Sequence, residues 1–388
     1  MIYDFDTTAT SPVLPEVMEA YLPRLSEAAN NPSSAHGGGI KAAGFYEEAR
    51  QSVARSLDCR PEEIIFTSGG TESINLALKG WACAEKRRPA RVITSAGEHE
   101  AVLASLDYLQ SAGLCETTRI PLLYSGQLDQ DVLESSLKTN PAGLISLIAV
   151  SNETGAVNDL AGLVPVIRQA APQTLIHSDI VQACGKLPFS FRNWGLDLAS
   201  IAGHKIGAPK GTGLLIKKQA IRLVPQLHGG GQQEGLRPGT VDVAGAMALA
   251  QALVFHVNRL DDHLEDTARL RRCFLDSIGK LTVPHRILSP EGGSPYVLSI
   301  AFPGLRGETL MNALSAESIY ISTGSACGSR LAGENRVLAA MGHDKETILS
   351  AVRISFNPNQ TEQAVLHLAE RIAALHARYA LGKGRGRS

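Results

Sequence analysis

The sequence predicts an α/β fold: a mostly parallel sheet in a large domain, followed by a smaller α+β domain at the carboxyl end. Two observations support this prediction. Short apolar segments rich in β-branched residues alternate with longer amphipathic segments over the first two-thirds of the chain, and this order changes near residue 257. Alternation of apolar strands with helices is typical of a parallel sheet that helices cover on both faces.

The large domain contains six segments with the composition of strands. They are residues 62–68, 90–95, 144–151, 174–179, 197–203 and 211–218. Clear helical patterns lie between them at 71–87 and 160–171. Ligands of such sheets bind at the carboxyl ends of the strands, so we expect the functional site there.

The smaller domain begins with a long amphipathic helix over residues 257–280, which we expect to connect the two domains. The elements predicted after it are strands at 296–302, 318–323 and 351–356, and helices at about 308–316 and 361–380. We therefore expect a large domain over 15–256 and a small domain formed by 1–14 together with 257–380. The Gly/Arg-rich residues 381–388 are expected to form a disordered tail.

Composition argues against several classes of function. The chain has 388 residues, of which 44% are hydrophobic, and its formal net charge is −1, which argues against a nucleic-acid binder with a basic surface. It contains no apolar run of about 18 residues and no basic-then-apolar leader, so we expect a cytoplasmic protein without a membrane segment. The six cysteines are scattered without CxxC spacing, which predicts neither a metal site nor a disulfide framework.

The first candidate site element is the turn after strand 62–67. Ser68, Gly69 and Gly70 interrupt the strand, and Thr71 opens the next helix. Glycines allow a tight turn with free backbone amides, and a helix N-terminus favours an anion such as phosphate. The alternative is a plain strand-to-helix turn in which Thr71 acts only as the N-cap.

Three further strand ends carry polar residues. His99 follows strand 90–95, Asp179 ends strand 174–179, and Lys205 follows strand 197–203. An aspartate can hold a pyridinium nitrogen, and a lysine in a closed apolar loop can act as a covalent nucleophile. Alone, a histidine at such a position is more often a surface or structurally satisfied residue, and the alternative for the lysine is an exposed loop residue. Together with the phosphate turn, the three residues form the set that pyridoxal phosphate requires.

The chain resembles the cysteine desulfurases, within the class V aminotransferase-like group of fold-type I pyridoxal phosphate enzymes. The resemblance rests on motifs in family order: NNPSSAH (30–36), FTSGGTES (66–73), EHEAV (98–102), SNETGAVN (151–158), HSDIVQACGK (177–186), GHKIGAPKGTG (203–213), HGGGQQEGLRPGT (228–240) and STGSACGS (322–329). It implies a seven-stranded sheet and a homodimer. The last motif resembles the subgroup with a long catalytic loop, typified by iron–sulfur cluster biogenesis enzymes.

The resemblance implies a role for each site residue. Lys205 would bond to the cofactor aldehyde, His99 would stack on the cofactor ring and transfer protons, and Cys327 would be the sulfur-accepting nucleophile. The remaining assignments are Asp179 to the ring nitrogen, Gln182 to the phenolic oxygen, Gly70, Thr71 and His204 to the phosphate, Thr240 to the phosphate of the second subunit, and Asn152 and Arg353 to the substrate carboxylate. The implied reaction converts L-cysteine to L-alanine and leaves a persulfide on Cys327 for delivery to an acceptor protein.

Three positions depart from the family pattern. Ala202 stands where the family usually has a serine, so we expect one phosphate hydrogen bond fewer and a somewhat weaker hold on the cofactor. Gly207-Ala208 replaces a common Tyr-Gly pair. The run from Asp6 to Pro12 replaces a usual Asp-Asn-Ala-Ala-Thr-Thr-Pro. None of these positions is expected to change the reaction type.

Several alternatives stay open at this point. Selenocysteine lyases share the scaffold, an ordinary aminotransferase or a kynureninase-like hydrolase would not need Cys327, and a catalytically inactive scaffold could bind a sulfur-acceptor partner. The acceptor could belong to iron–sulfur assembly, tRNA thiolation or DNA phosphorothioation. Glycines around Cys327 favour a mobile loop, but the strand-like residues 318–322 could also place this thiol at a strand end.

Overall fold

The computed structural model describes residues 2–86, 88–324 and 335–380. Its strands are β1 (Tyr3–Asp4), β2 (Ile64–Thr67), β3 (Ala90–Ser95), β4 (Cys115–Ile120), β5 (Leu144–Ile148), β6 (Leu175–Asp179), β7 (Leu198–Ala202), β8 (Gly213–Lys217), β9 (Arg286–Ile287), β10 (Val297–Ala301), β11 (Ile319–Tyr320) and β12 (Ala351–Ser355). Its α-helices are α1 (Pro15–Glu27), α2 (Gly37–Leu57), α3 (Gly70–Ala84), α4 (Glu100–Ser111), α5 (Gln130–Thr139), α6 (Leu160–Ala170), α7 (Val243–Val257), α8 (Leu260–Lys280), α9 (Gly307–Ser315), α10 (Arg336–Ala340), α11 (Lys345–Ser350) and α12 (Glu362–Tyr379).

The main sheet has seven strands in the order β2-β8-β7-β6-β5-β3-β4. Strand β8 pairs antiparallel with both of its neighbours, and the remaining pairs are parallel. The predicted mostly parallel, seven-stranded sheet is therefore confirmed. The six strands predicted individually are all present, and the seventh is β4.

The central strands form where apolar residues run continuously. Every residue of β5, β7 and β8 is buried, as expected for strands that are covered by helices on both faces. The helices on either side of β5 begin at side-chain caps: Asp129 accepts a hydrogen bond from the amide of Val132 at the start of α5, and Asp159 accepts one from Gly162 at the start of α6. These caps fix where the chain turns back over the sheet.

The smaller sheet is antiparallel, in the order β12-β10-β9, and β1 pairs with β11 beside it. Its core includes Phe5, while Leu14 packs in the core of the main sheet. The change from the core of the smaller sheet to that of the main sheet therefore falls between Phe5 and Leu14, and the predicted division at 14/15 and 256/257 stays a prediction. The predicted strand 318–323 is shorter than expected, because only β11 and an isolated bridge between Ser322 and Arg353 form.

Helices α7 and α8 meet at a sharp bend. The helix predicted from residue 257 begins at Leu260, and the two helix axes differ by 71°. Taken together, the two helices of this bent pair are as long and as apolar as a membrane span. Within the described ranges no single helix is long and apolar enough to span a membrane. The predicted tail, residues 381–388, lies outside the described residues.

A buried histidine links three neighbouring strands of the main sheet. His177 on β6 shares hydrogen bonds with Ser146 on β5 (Nδ1 to Oγ, 2.8 Å) and with Ser200 on β7 (Nε2 to Oγ, 2.9 Å). All three residues are fully buried. Burial lowers the pKa of His177 to about 3, so the ring is neutral in the folded protein at neutral pH.

This histidine predicts an acid-sensitive fold. Unfolding restores an ordinary histidine pKa near about 6.5, so the unfolded chain binds more protons between that pH and about 3. The contribution of His177 to stability is therefore present above that window and falls with decreasing pH, by up to about 1.4 kcal/mol per pH unit. We expect His177→Asn to show a shallower loss of thermal midpoint between about pH 7 and pH 4 than the wild type.

The control for this experiment is His228→Asn, since His228 is exposed. It should leave the pH dependence of the thermal midpoint unchanged. An equal slope for His177→Asn and the wild type would show that His177 does not determine the acid sensitivity.

Candidate active site

The predicted site residues converge at the carboxyl edge of the main sheet. Asp179 ends β6 and is 3% exposed, and its Oδ1 accepts a hydrogen bond from the amide of Val181 at 3.0 Å. Burial raises the pKa of Asp179, and the electrostatic interactions of its carboxylate with His99 and Lys205 oppose that rise. The three residues therefore lie within electrostatic reach of one another, as their positions at strand ends predicted.

The ring of His99 is held by the start of α4. His99 is the N-cap of this helix, and its Nδ1 accepts a hydrogen bond from the amide of Ala101 at 3.1 Å. Because Nδ1 accepts, the proton of the neutral ring resides on Nε2. Nε2 is thus the atom of His99 that can exchange protons with a bound molecule.

Lys205 lies in a short 3₁₀ turn, Gly203–Lys205, between β7 and β8. Its Nζ donates hydrogen bonds to the backbone carbonyls of Thr8 at 2.9 Å and Ala9 at 2.6 Å. The N-terminal segment therefore reaches across the sheet edge and orients the lysine amine. Its part in the site was missed in the sequence, where these residues were noted only as a departure from the family pattern.

Gln182 is held on both sides of its amide. Its Nε2 donates to the carbonyl of Thr8 at 3.1 Å, and its Oε1 accepts from Lys186 Nζ at 2.8 Å. Burial, with the charge of nearby Lys205 adding to it, lowers the pKa of Lys186 to about 7. Lys186 was not identified from the sequence, although it ends the motif HSDIVQACGK.

The glycine turn packs directly against the strand ends. A Cβ placed on Gly70 would lie 3.2 Å from Val181 Cγ2 and 3.4 Å from Ala202 Cβ, so this position lies close to the ends of β6 and β7. The helix begins at Gly70, with Gly69 as the N-cap, so the alternative that Thr71 caps the helix is wrong. Thr71 instead lies in the first turn, where backbone amides lack intrahelical partners.

His204 supports the same edge from the side of β7. Its Nδ1 shares a hydrogen bond with Thr10 Oγ1 at 3.1 Å. Burial is the main cause that lowers the pKa of His204 to about 4, and the charges of Lys205, Lys210 and Lys186 add to it. At neutral pH His204 is therefore a neutral hydrogen-bonding group.

Arg353 and Asn152 are in contact on the side of the smaller sheet. Arg353 is 4% exposed, and its Nη1 donates to the backbone carbonyl of Asn152 at 3.0 Å. Its Nη2 forms an ion pair with Asp6 Oδ1 at 2.8 Å. The sequence did not reveal this partner, since Asp6 lies 347 residues away along the chain.

A buried acid next to His99 was also missed in the sequence. Glu98 is 1% exposed, and its Oε1 accepts hydrogen bonds from Ser95 Oγ at 2.6 Å and from the amide of Ile148 at 2.9 Å. Burial raises the pKa of Glu98 to about 8, and the charge of Asp179 adds to the rise. Its position between β3 and β5 stabilises the segment that leads into His99.

Comparison with known proteins places this site in a family. The sequence profile of the family Aminotransferase class-V matches residues 2–368. The chain belongs to the class-V aminotransferase family. Members similar to it include "Cysteine desulfurase IscS" of Rickettsia bellii, which is 35% identical over 365 residues that span 93% of this chain and 87% of the relative.

Two solved structures of this family share the fold. One, described as "NIFS-like protein", has a TM-score of 0.91 at 34% identity, covering 97% of this chain and 100% of its own. The other, described as "SspA in complex with cysteine", has a TM-score of 0.81 at 30% identity, covering 93% of this chain and 100% of its own. The predicted family and the predicted fold-type I architecture are therefore confirmed.

Two further predicted site residues are Cys327 and Thr240. Cys327 lies outside the described residues. The prediction that its thiol lies on a loop or at a strand end therefore concerns residues that are not described. Thr240 is exposed on the chain surface. Its predicted place in the site of a second subunit stays a prediction.

The other five cysteines are free thiols, at positions 59, 83, 115, 184 and 273. Burial raises the pKa of both Cys59 and Cys184 to about 12. A thiol with such a pKa forms little thiolate at neutral pH and is a poor nucleophile. This supports the plain structural role predicted for these two cysteines.

The ion pair of Arg353 predicts a stability effect. Asp6→Ala leaves a buried guanidinium without its counter-charge, and we expect a loss of about 3 kcal/mol in the free energy of unfolding, measured with denaturant. Asp6→Asn retains an oxygen that accepts the hydrogen bond, so it should lose clearly less. Equal stability of Asp6→Ala and the wild type would contradict a structural role for this pair.

Proposed function

We propose that this protein is a pyridoxal phosphate-dependent cysteine desulfurase that transfers sulfur from L-cysteine to Cys327. The observation that supports this function most is the buried carboxylate of Asp179, which lies within electrostatic reach of His99 and Lys205. The curated relative from Rickettsia bellii carries the name of this activity. The similar SspA structure is described as a complex with cysteine, which supports cysteine as the substrate.

The residues present fit pyridoxal phosphate. A buried aspartate at a sheet edge suits a protonated ring nitrogen, and the neutral His204 and the first turn of α3 suit a phosphate. Gly70 has no Cβ, so the space beside Val181 and Ala202 stays open. A Cβ added at Gly70 would approach both side chains closely. Ala202 has no hydroxyl to offer, so the phosphate would depend on backbone amides, Thr71 and His204.

We assign the holding groups as follows. Asp179 would bind the ring nitrogen, Gln182 the phenolic oxygen, and Lys205 the aldehyde carbon, while His99 would lie over the ring. Bound cofactor would supply the electron sink that makes the Cα–H bond of cysteine acidic and its C–S bond breakable. Lys186 donates a hydrogen bond to Gln182 Oε1, so Nε2 of this amide points away from Lys186. Nε2 is the donor atom that a phenolic oxygen needs.

Two groups of the chain move protons in this proposal. Lys205 Nζ lies among backbone carbonyls at hydrogen-bonding distance, so its amine is oriented, and we propose that it takes the proton from the substrate Cα. His99 exchanges protons at Nε2, because its Nδ1 is occupied by the amide of Ala101. We assign His99 to the thiol protons of the substrate and of Cys327.

Arg353 and Asn152 are proposed to bind the substrate carboxylate. A guanidinium matches a carboxylate with two parallel hydrogen bonds. In this chain Arg353 already pairs with the carboxylate of Asp6 through Nη2, so its charge and orientation suit such a ligand. The substrate carboxylate would either displace Asp6 from this guanidinium or bind beside it.

Cys327 is proposed to complete the reaction. Its thiolate attacks the sulfur of the substrate, so that an S–S bond forms while the C–S bond breaks and its electron pair stays on carbon. Protonation of that carbon gives L-alanine, and the sulfur remains on the enzyme as a persulfide. No external oxidant or reductant is needed, because the two electrons that the sulfur atoms lose on forming the persulfide stay on the substrate carbon and reduce it to the methyl group of alanine.

The partners and location belong to the same proposal. A persulfide requires an acceptor protein, and a homodimer would bring the exposed Thr240 of each chain to the phosphate of the other. Iron–sulfur cluster biogenesis is proposed as the destination, because the motif STGSACGS resembles the long-loop subgroup that iron–sulfur biogenesis enzymes typify. The cytoplasmic location stays a prediction.

Replacing Cys327 tests the assignment directly. Cys327→Ala should still bind the cofactor and exchange the Cα proton of L-cysteine with solvent deuterium, because these steps precede sulfur transfer. Formation of persulfide and of L-alanine should fall by more than about 100-fold. Mass spectrometry and alanine analysis measure the two products.

The matched control is Cys273→Ala, which removes a half-buried thiol with no assigned role. It should retain full desulfuration. Persulfide and alanine formation by Cys327→Ala at the wild-type rate would overturn the nucleophile assignment.

A further inference from the structure

Glu153 lies where the two described ends of the Cys327 segment meet. The segment 325–334 is flanked by Gly324 and Asn335. Asn335 Nδ2 donates a hydrogen bond to Glu153 Oε2 at 3.1 Å. A Cβ placed on Gly324 would collide with the same oxygen and would lie 2.9 Å from Asn335 Nδ2. One carboxylate oxygen therefore contacts both ends of the segment.

The other oxygen of Glu153 faces the proposed substrate site. Asn152 Nδ2 donates to Glu153 Oε1 at 3.3 Å, and the backbone carbonyl of Asn152 accepts from Arg353. Burial raises the pKa of Glu153, and the charge of Arg353 is the largest influence that opposes this rise. Glu153 thus connects the ends of the Cys327 segment to the two residues assigned to the substrate carboxylate.

The orientation of Asn335 is fixed. Its Oδ1 caps helix α10 by accepting from the amide of Leu338 at 2.9 Å, so its amide cannot turn over without losing the cap. The next residue, Arg336, donates to the backbone carbonyls of Ala96 and Glu98, directly before His99. The carboxyl end of segment 325–334 is therefore attached to Glu153 through Asn335, and through Arg336 to the backbone that leads into His99.

The amino end is attached as well. The amide of Gly324 donates to Ser322 Oγ at 3.2 Å, and Ser322 forms a backbone bridge with Arg353 on β12. Gly324 adopts φ = +85°, a left-handed conformation that a residue with a side chain rarely adopts. Glycine is thus required at this end for both its backbone conformation and its close approach to Glu153.

We propose that Glu153 is a positioning residue that fixes both ends of segment 325–334 relative to Asn152 and Arg353, and so sets the reach of Cys327 toward the substrate sulfur. The inference rests on the proposed function. When the ends of a segment are fixed, its central residue loses less conformational entropy on reaching a target. The entropic cost of that step is therefore smaller. Small misplacements of reacting groups lower rates by as much as about 100-fold.

The proposal assigns Glu153 to one step only. Cα proton exchange depends on Lys205 and the cofactor, so it should not depend on how the Cys327 segment is held. Persulfide formation should depend on it. A split between these two readouts separates a positioning role from a general role in folding or in substrate binding.

The test uses Asn335→Asp with a rescue variant. Aspartate keeps the cap of α10 but places a second carboxylate next to Glu153, so the link becomes repulsive. We expect persulfide formation to fall about 10- to 100-fold, while Cα exchange stays within about 2-fold of the wild type. Adding Glu153→Gln supplies an amide donor to the introduced carboxylate, and the double variant should recover most of the lost rate.

Asn335→Ser provides a second route if Asn335→Asp does not fold. Serine also caps a helix but is too short to reach Glu153, so it should show the same split without the repulsion. The proposal is overturned if both single variants form persulfide at the wild-type rate, if exchange and persulfide formation fall together, or if the double variant shows no recovery. Wild-type enzyme that exchanges the Cα proton but forms no persulfide would instead overturn the proposed function.

Discussion

The carboxylate of Asp179 is buried at the carboxyl end of β6, the middle strand of the main sheet, and the rest of the site is arranged around it. A buried carboxylate is costly unless positive charge or hydrogen-bond donors compensate it. The described residues supply the amide of Val181 and favourable electrostatic interactions with His99 and Lys205. A protonated pyridine ring would complete this compensation, which is why the sheet edge favours such a cofactor over a neutral ligand.

The N-terminal segment joins this centre to the smaller sheet. The carbonyls of Thr8 and Ala9 receive Lys205, and the amide and hydroxyl of Thr8 both bond to Ser355 at the end of β12. Asp6 pairs with Arg353 on the same strand. The orientation of the lysine and that of the arginine thus depend on one short stretch of chain. The departures from the family pattern in this stretch are compatible with these contacts, since most of the groups that hold Lys205 and Ser355 belong to the backbone.

The sequence predicted the elements whose signal is local. Continuous apolar runs marked β5, β7 and β8, and polar residues at strand ends marked Asp179, His99 and Lys205. Strand β4 was missed because it lies at the edge of the sheet and carries exposed polar residues between its two buried ends. Asp6 and Lys186 were missed because their roles depend on partners brought together by folding. Glu153 stands in the motif SNETGAVN, but only the fold shows that it meets Gly324 and Asn335, which lie more than 170 positions further along the chain.

We propose that the sheet edge holds the cofactor through Lys205. The most direct measurement is reduction of the cofactor-loaded protein with borohydride, followed by peptide mapping to find the modified lysine. We expect modification of Lys205 alone. Lys186 is the informative alternative, because it is buried near Lys205 and burial lowers its pKa to about 7, which makes its amine available at neutral pH. Modification of Lys186, or of no lysine, would contradict the assignment of Lys205.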